Sequence, residues 1–345
     1  MVTLKDIAER AGVSVSLVSG VINDSPYVRM TEATKQKVLD IIEESGYVPN
    51  HSARSLKFSR TDVLAVIIPN ISDPIFAGLL AGVYAGAEKH GYVVLLGDAR
   101  ELVSGSKLLE RIMGHGQVDG TLIRHSATLS NDVISQLAKR RAPVVLMDVS
   151  ETEDLPWVGL DERKGTARAA RHLLSLGHQR IGFLGGEREY PGTQRRIEGV
   201  RRELGNAGLS LDEKDIWFGH QEPLEGYATM QRLLASGDLP TGLIVNNVTT
   251  ATGVLAAAAD AGVRVPDDLS LVAYLDYPAA ALVRPAITAI DQPLFEVGYH
   301  SVELFERIRR GDQCESYTIQ SPAPRLIKRN TTRRIGPTLV RRQTG

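Results

Sequence analysis

The chain has 345 residues, more than one hydrophobic core usually organises, so we expect two or three structural units. Hydrophobic residues make up 43% of the chain and charged residues 23%, which excludes a fibrous or wholly disordered protein. The single cysteine, Cys314, excludes an internal disulfide and a cysteine-cluster metal site. The charged N-terminus and the lack of any apolar run near the roughly 18 residues of a membrane span predict a cytoplasmic protein.

Charge is divided unevenly along the chain. Residues 1–60 contain eight Lys/Arg and seven Asp/Glu, residues 61–315 contain 25 and 34, and residues 316–345 contain seven and none. A uniformly basic nucleic-acid binder is therefore excluded, whereas a small DNA-binding head on an acidic body remains compatible with the sequence.

The first 47 residues have the spacing of three short helices. Thr3, Ser14 and Thr31 can cap their starts, and Gly12 and Gly46 can end the first and third. The positions expected to be buried are Leu4, Ile7, Ala8 and Ala11, then Val18, Val21 and Ile22, then Val38, Ile41 and Ile42. The first two helices have the spacing of a helix-turn-helix, but the same spacing occurs in bundles that never contact DNA.

Longer sequence segments distinguish between these two interpretations of the head. TLKDIAERAGVSVSLVSGVIND and SGYVPNHSARSLK closely resemble the head and hinge of the LacI/GalR (lactose-repressor/galactose-repressor) family of bacterial transcription regulators. The resemblance continues through IIPNISDPIF, GHQRIGFLGG, RRIEG, GVRVPDDLSLVAYLD and PAITAIDQPLFEVG. It implies an N-terminal all-α helix-turn-helix head at residues 1–47, a hinge helix or linker at 48–60, and an α/β periplasmic-binding-protein-like body of two doubly wound parallel-sheet lobes.

The resemblance places the second helix in the major groove of DNA. Base contacts would come from Val15, Ser16 and Gly20, and phosphate contacts from Ser14, Ser19 and Asn23. Gly20 departs from the family's usual larger polar residue, and Leu17 departs from its usual threonine. The hinge would add Asn50, Arg54, Leu56 and Lys57, with Leu56 wedged between base pairs in the minor groove. The residues alone also allow Leu56 to pack against the body.

From residue 61 onward, short β-rich runs alternate with amphipathic helices, which predicts parallel sheets covered by helices on both faces. Candidate strands are 63–68, 92–96, 120–123, 144–147, 181–184, 243–245, 271–274 and 287–290. With the three chain crossings that the resemblance implies, the first effector lobe should combine residues 61–162 with 292–320. The second should combine 163–291 with 321–335, and the tail at 336–345 should be disordered.

An effector cleft between the lobes is also implied by the resemblance. Its residues would be Ile75, Phe76, Arg124, His125, Asp148, Tyr190, Arg196, Gln221, Asn247 and Leu275. Leu275 stands where the family commonly has an aspartate that holds sugar hydroxyls, and Asp148 is a single acid beside several positive groups. We therefore expect an anionic effector, such as a carboxylate or phosphate, or one with a planar apolar group.

Motifs give little support for an enzyme. No G-x-G-x-x-G follows the first strand, and the sequence has no Walker loop, G-x-S-x-G or H-E-x-x-H. His172 and His178 are expected to face solvent rather than a metal. We therefore expect no catalytic residue, metal or cofactor.

The interpretation is a ligand-responsive repressor that binds a palindromic operator as a homodimer and lies with the nucleoid when bound to DNA. Pro337 interrupts the long C-terminal helix that family tetramers use, which favours the dimer. Two alternatives stay open: a cytoplasmic small-solute sensor without DNA binding, and a sugar-modifying or nicotinamide-dependent α/β enzyme.

Overall fold

The computed structural model describes residues 2–22, 28–47, 60–103, 105–114, 117–125, 131–139, 142–150, 155–219 and 222–335. The chain divides into two compact units, Met1–Thr61 and Asp62–Gly345, which we call the head and the body. Nearly all of the predicted hinge and the predicted disordered tail at 336–345 lie outside the described residues.

The head contains α1 (Leu4–Ala11), α2 (Val15–Ile22) and α3 (Glu32–Ser45). Thr3 and Asp6 cap α1 reciprocally: the Thr3 hydroxyl accepts from the Asp6 N–H at 3.3 Å, and the Asp6 carboxylate accepts from the Thr3 N–H at 2.8 Å. Gly12 ends α1 with a φ of 70°, which an L side chain rarely adopts. The head core consists of Ile7, Ala8, Ala11, Val18, Val21, Val38 and Ile41.

The first sheet of the body consists of β1 (Val63–Ile68), β2 (Val93–Asp98), β3 (Gly120–Ile123) and β4 (Val144–Leu146). The strands lie in the order β2-β1-β3-β4, and every pairing between them is parallel. The connecting helices are α4 (Ala77–His90), α5 (Lys107–Met113) and α6 (Asn131–Ala138). β1 is central and buried from Leu64 to Ile68, which explains why its sequence is a continuous apolar run.

The second sheet contains β6 (Ile181–Leu184), β7 (Ile216–Trp217), β8 (Gly242–Val245), β9 (Ser270–Ala273), β10 (Thr288–Asp291) and β12 (Arg325–Ile327). Their order is β12-β10-β9-β8-β6-β7, with β12 antiparallel to β10 and the other pairs parallel. Its helices are α7 (Glu162–Ser175), α8 (Pro191–Asn206), α9 (Pro223–Ala235) and α10 (Val248–Asp260). Two further strands, β5 (Val158–Leu160) and β11 (Tyr317–Ile319), pair with each other in parallel.

After β10 the chain returns to the first sheet as α11 (Leu294–Arg309), which packs on α4. The two helices approach closely because glycines lie at their crossing: a Cβ on Gly82 would stand 1.9 Å from the carbonyl oxygen of Phe295. The last strand of the described residues, β12, lies again in the second sheet. The predicted lobe boundaries, residues 61–162 with 292–320 and residues 163–291 with 321–335, stay a prediction.

The predicted fold class is confirmed, with the antiparallel edge strand β12 as an addition. The strand candidates missed β5, β7, β11 and β12, because runs of two or three residues are too short to show a period of two. Among the described residues, none of the helices combines the length and the apolar composition that a membrane span requires.

The expectation that His172 and His178 face solvent is wrong. The two side chains are buried at 7% and 2% exposure beneath the C-terminal segment. Nε2 of His172 lies 3.0 Å from Oγ1 of Thr332, and Nε2 of His178 lies 3.2 Å from the carbonyl oxygen of Arg333. Both imidazoles therefore anchor that segment to α7 and to the start of β6.

Candidate functional site

One exposed surface of the head is formed by the start of α2. Ser14, Val15 and Ser16 are exposed, with Val15 at 44%, and the two serine hydroxyls lie 3.0 Å apart. The Ser14 hydroxyl also accepts from the N–H of Leu17 at 3.2 Å, which fixes the first turn of the helix. Ser19 is half-buried farther along α2. Hydroxyls and a small apolar side chain at a helix start can contact phosphates and base edges.

Gly20 does not share this surface, contrary to the prediction. It is buried, and a Cβ placed on it would stand 2.4 Å from Cγ2 of Val28. Its lack of a side chain therefore makes room for Val28 within the head. Leu17, unexplained by the sequence, packs against the head core.

Several predicted contact residues lie outside the described residues and stay predictions. They are Asn23, Asn50, Arg54, Leu56 and Lys57 for DNA, and Gln221 for the cleft.

In the body, several predicted cleft residues come together where strands of the two sheets end. Arg124 and His125 follow β3, and Asp148 lies just after β4. The Arg124 guanidinium donates to the carbonyl oxygen of Met147 at 2.6 Å and lies 3.6 Å from the Asp148 carboxylate. Polar groups at the carboxyl ends of parallel strands are the usual arrangement of a ligand site in this architecture.

Tyr190 joins this group from the other sheet, at the residue that precedes α8. Its hydroxyl donates to the Asp148 carboxylate, and its ring stacks on the His125 imidazole with centroids 6.0 Å apart and an interplanar angle of 12°. Burial raises the pKa of the Tyr190 phenol and the negative charge of Asp148 raises it further, so the phenol stays protonated and donates.

Arg196 is buried but already paired, with a residue that the sequence did not single out. Glu162, the first residue of α7, accepts from Nε of Arg196 at 2.7 Å and from Nη2 at 3.2 Å. Nη1 of Arg196 donates to the side-chain oxygen of Asn246, and the guanidinium lies 4.3 Å above the ring centre of Tyr274. An acid in the first turn of a helix is common at solvent-exposed helix starts, so the sequence position of Glu162 did not indicate that it pairs with Arg196.

The polar network continues behind Arg196. Gln292 donates to the Tyr274 hydroxyl at 2.6 Å, and Gly165 provides the space for both, since its Cβ would stand 2.1 Å from Nε2 of Gln292. The side-chain nitrogen of Asn246 and the side-chain oxygen of Gln292 are buried without a hydrogen-bond partner. Such atoms are uncommon in folded proteins and are available to a polar ligand or to water.

The remaining predicted cleft residues have mainly structural contacts. Ile75, Phe76 and Leu275 are buried in one apolar cluster, with Phe76 at 8% exposure. Asn247 caps α10, its side-chain oxygen accepting from the N–H of Thr250 at 2.7 Å. In the first turn of α10, the Thr249 hydroxyl donates to the Asp73 carboxylate, which lies after β1, at 3.2 Å.

The expected excess of unpaired positive charge is wrong. Glu162 lies 3.9 Å from Arg124 as well as against Arg196, so two carboxylates face these two buried arginines. Burial acts to raise the pKa of Glu162, but the charges of Arg196 and Arg124 outweigh it and hold the pKa below its ordinary value. Burial also lowers the pKa of His125, which keeps the imidazole neutral at pH 7. Arg195, the neighbour of Arg196 in the chain, is also buried and donates to the carbonyl oxygen of Val149 at 3.2 Å.

An all-α head with an exposed helix start and a two-sheet body with a buried polar site between strand ends define the class of DNA-binding regulators with a ligand-binding domain. Comparison with known sequences agrees. Residues 3–50 match the description "Bacterial regulatory proteins, lacI family", and residues 170–332 match "Periplasmic binding protein-like domain".

Known proteins resemble the chain over nearly its full length. Catabolite control protein A of Priestia megaterium is 31% identical over 324 residues, which are 93% of this chain and 96% of that protein. The HTH-type transcriptional repressor PurR of Haemophilus influenzae (strain PittEE) is 31% identical over 337 residues, 97% of this chain and 100% of that protein. The crystal structure of a LacI family transcriptional regulator from Mycobacterium smegmatis matches with a TM-score of 0.73 and 30% identity, over 79% of this chain and 99% of that chain.

The chain therefore belongs to the LacI family of bacterial regulatory proteins. It is a DNA-binding transcriptional repressor with a ligand-binding domain, and the enzyme alternative is excluded.

Proposed function

We propose that this repressor acts in the bacterial cytoplasm as a homodimer on a palindromic operator. A small effector in the polar site between the two sheets controls its affinity for DNA. The observation that carries the proposal is the convergence on one site of side chains from both sheets: Asp148 with Tyr190, and Arg124 with Glu162. A ligand that contacts both groups can favour one arrangement of the two sheets over another, which is what ligand control of a distant activity requires.

For DNA binding, the supporting feature is the exposed start of α2. Ser14, Val15 and Ser16 offer two hydroxyls and one apolar side chain, a set suited to phosphates and to a thymine methyl group. Since Gly20 is buried, base recognition by α2 depends on Val15 and Ser16. The hinge residues Asn50, Arg54, Leu56 and Lys57 would add contacts in the minor groove, with Leu56 as the wedge.

For the dimer, the supporting feature is the edge strand of the first sheet. Val93, Leu95 and Leu96 on β2 are 67%, 37% and 36% exposed, and Tyr84 on helix α4, which packs on β2, is 51% exposed. Monomeric proteins usually cover or charge such an edge, because exposed apolar edge strands promote association. A second copy of the chain is the occupant we assign to this surface.

The effector is expected to be a small molecule with a planar or apolar face and hydrogen-bonding groups. The stacked rings of His125 and Tyr190 mark where a planar group would lie, and the unpaired side-chain nitrogen of Asn246 supplies a donor. Because Asp148 and Glu162 balance Arg124 and Arg196, charge gives no preference for an anion. Screening for the effector therefore needs neutral sugars as well as the sugar phosphates and organic acids that the sequence favoured.

The proposal is tested by a thermal-shift screen of these three classes, followed by operator titration with each hit. An effector should change operator affinity by about 5- to 150-fold, the usual range of coupling between two sites. The shift should be lost in Asp148→Asn and kept in the control Asp260→Asn, whose carboxylate accepts from the hydroxyl of Tyr227 away from the site. A hit that shifts both variants equally, or leaves operator affinity unchanged, contradicts the proposed effector site.

A further inference from the structure

The side chain of Tyr190 lies within the proposed effector site, against Asp148 and His125. Its hydroxyl donates to Asp148, its ring stacks on His125, and the residue is only 7% exposed. These are the two kinds of contact, a hydrogen bond to a carboxylate and an aromatic stack, that a small ring-shaped ligand would make in the same place.

The inward position of Tyr190 is built into the start of α8. Pro191 follows as the first residue of the helix and restricts the backbone there. Gly192 then leaves the space for the ring, since a Cβ on it would stand 2.5 Å from Cε1 and 3.1 Å from the hydroxyl oxygen of Tyr190. An alanine at this position could not be accommodated without displacing the tyrosine ring.

Tyr190 also connects the two sheets. It precedes a helix of the second sheet, whereas Asp148 and His125 follow strands of the first. A separate hydroxyl-to-carboxylate hydrogen bond, from Thr249 in the first turn of α10 to Asp73 after β1 at 3.2 Å, also joins the two sheet groups. The tyrosine is thus held by the first sheet through a hydrogen bond and a stack, and by its own helix through Gly192.

We propose that the Tyr190 side chain occupies the effector site when no effector is bound and holds the two sheets together. The side chain must leave the site when an effector binds. The inference rests on the proposed function, because it takes this site as the effector site. It makes the effector-free protein closed, and it makes the phenol side chain a direct competitor of the effector.

The test measures the distance between the two sheet groups in the full chain. Spin labels are placed on Glu110→Cys in α5 and Gln231→Cys in α9, both exposed positions, after the single native cysteine is removed by Cys314→Ser. We expect a narrow distance distribution without effector, which becomes longer and broader in Tyr190→Ala. Tyr190→Phe, which keeps the ring and loses the hydroxyl, should lie between them and serves if the alanine variant does not fold.

Chemical rescue of the Tyr190→Ala variant is the most decisive part of the test. p-Cresol should restore the narrow distribution in Tyr190→Ala, because it refills the cavity and donates to Asp148. Toluene, which lacks the hydroxyl, should restore it less, and p-cresol should not change the unsubstituted protein. Tyr227→Ala, at a tyrosine whose hydroxyl donates to Asp260 on the second sheet's helices, should leave the distance unchanged.

An unchanged distance in both Tyr190 variants, or a p-cresol effect equal to that of toluene, overturns the proposal. Neither result involves DNA, so failure here is distinct from failure of the regulator assignment, which operator binding tests.

Discussion

Glu162 and Arg196 form a two-bond ion pair that is almost completely shielded from water, with Nε and Nη2 of the arginine 2.7 and 3.2 Å from the carboxylate. The pair joins the first turn of α7 to α8. It also explains why an arginine expected to hold a ligand is buried beside Tyr274: its charge is satisfied within the protein.

Removal of the Glu162 charge should therefore destabilise the body. Glu162→Gln is expected to lower the free energy of unfolding by about 3–5 kcal/mol, because it leaves Arg196 buried without a counter-charge. The double variant Glu162→Gln/Arg196→Met should lose less than the sum of the single variants in urea denaturation. The control is Glu198→Gln, which breaks an exposed pair with Arg163 on the same two helices and should cost under about 1 kcal/mol. Equal losses in Glu162→Gln and Glu198→Gln would contradict this account.

Gly20→Ala should destabilise the head, although alanine favours helices. The intrinsic helix preference gains about 1 kcal/mol, but the contact at 2.4 Å with Val28 forces repacking that costs about 1–3 kcal/mol. Amide hydrogen exchange in α1 and α3 of the full chain should accelerate in Gly20→Ala and recover in Gly20→Ala/Val28→Ala. Slower exchange in Gly20→Ala would mean that Val28 does not occupy this space.

Leu95→Lys should weaken the proposed homodimer. A charge at the apolar edge of β2 would be buried against the second copy, and we expect a dissociation constant raised about 10- to 100-fold. Sedimentation velocity over a concentration series measures the change. Leu224→Lys, at an equally apolar side chain that is 80% exposed on α9, should leave the dimer intact. Equal behaviour of the two variants would move the dimer interface away from β2.

Acid should destabilise the body through His172 and His178. Burial lowers the pKa of both imidazoles below the ordinary value of 6.5, so the unfolded chain takes up protons at a higher pH than the folded chain. Their stabilising contribution is thus complete above pH 6.5 and is lost as the pH falls through their lowered pKa values. The free energy of unfolding should fall less between pH 7 and 5 in His172→Gln/His178→Gln than in the unsubstituted protein. The control is His300→Gln, at a partly exposed histidine; if it behaves like the double variant, the buried histidines are not the cause.

The fold could be predicted from the sequence because apolar residues in its long helices and strands recur in regular patterns. Apolar stripes in the head and the run from Leu64 to Ile68 follow from local periodicity, and Thr3, Gly12 and Gly46 mark helix ends by their own chemistry. β7 and β12 were missed because they have only two and three residues and depend on neighbours that are distant in sequence.

The candidate site was predicted less completely, because its chemistry arises from long-range pairs. Position in the family pattern identified Arg124, Asp148, Tyr190 and Arg196, which do come together. It did not identify Glu162 as the partner of Arg196, and so it overestimated the positive charge of the site. Gly20 was misplaced for a similar reason, since only the fold brings Val28 against it.

The central claim is that this chain is a dimeric, sequence-specific repressor, and selection from random duplex DNA tests it most directly. After repeated rounds of binding at low salt, the enriched duplexes are sequenced and the stoichiometry of the complex is measured by sedimentation. The account predicts a symmetric site of roughly 14 to 20 base pairs bound by two chains, with affinity that falls steeply with salt because two heads and two hinges contact phosphates. The predicted dependence of this affinity on Ser16 and Val15 is measured on the selected site. Failure to enrich any symmetric sequence, with the protein folded and dimeric, would contradict it and favour a solute sensor that does not bind DNA.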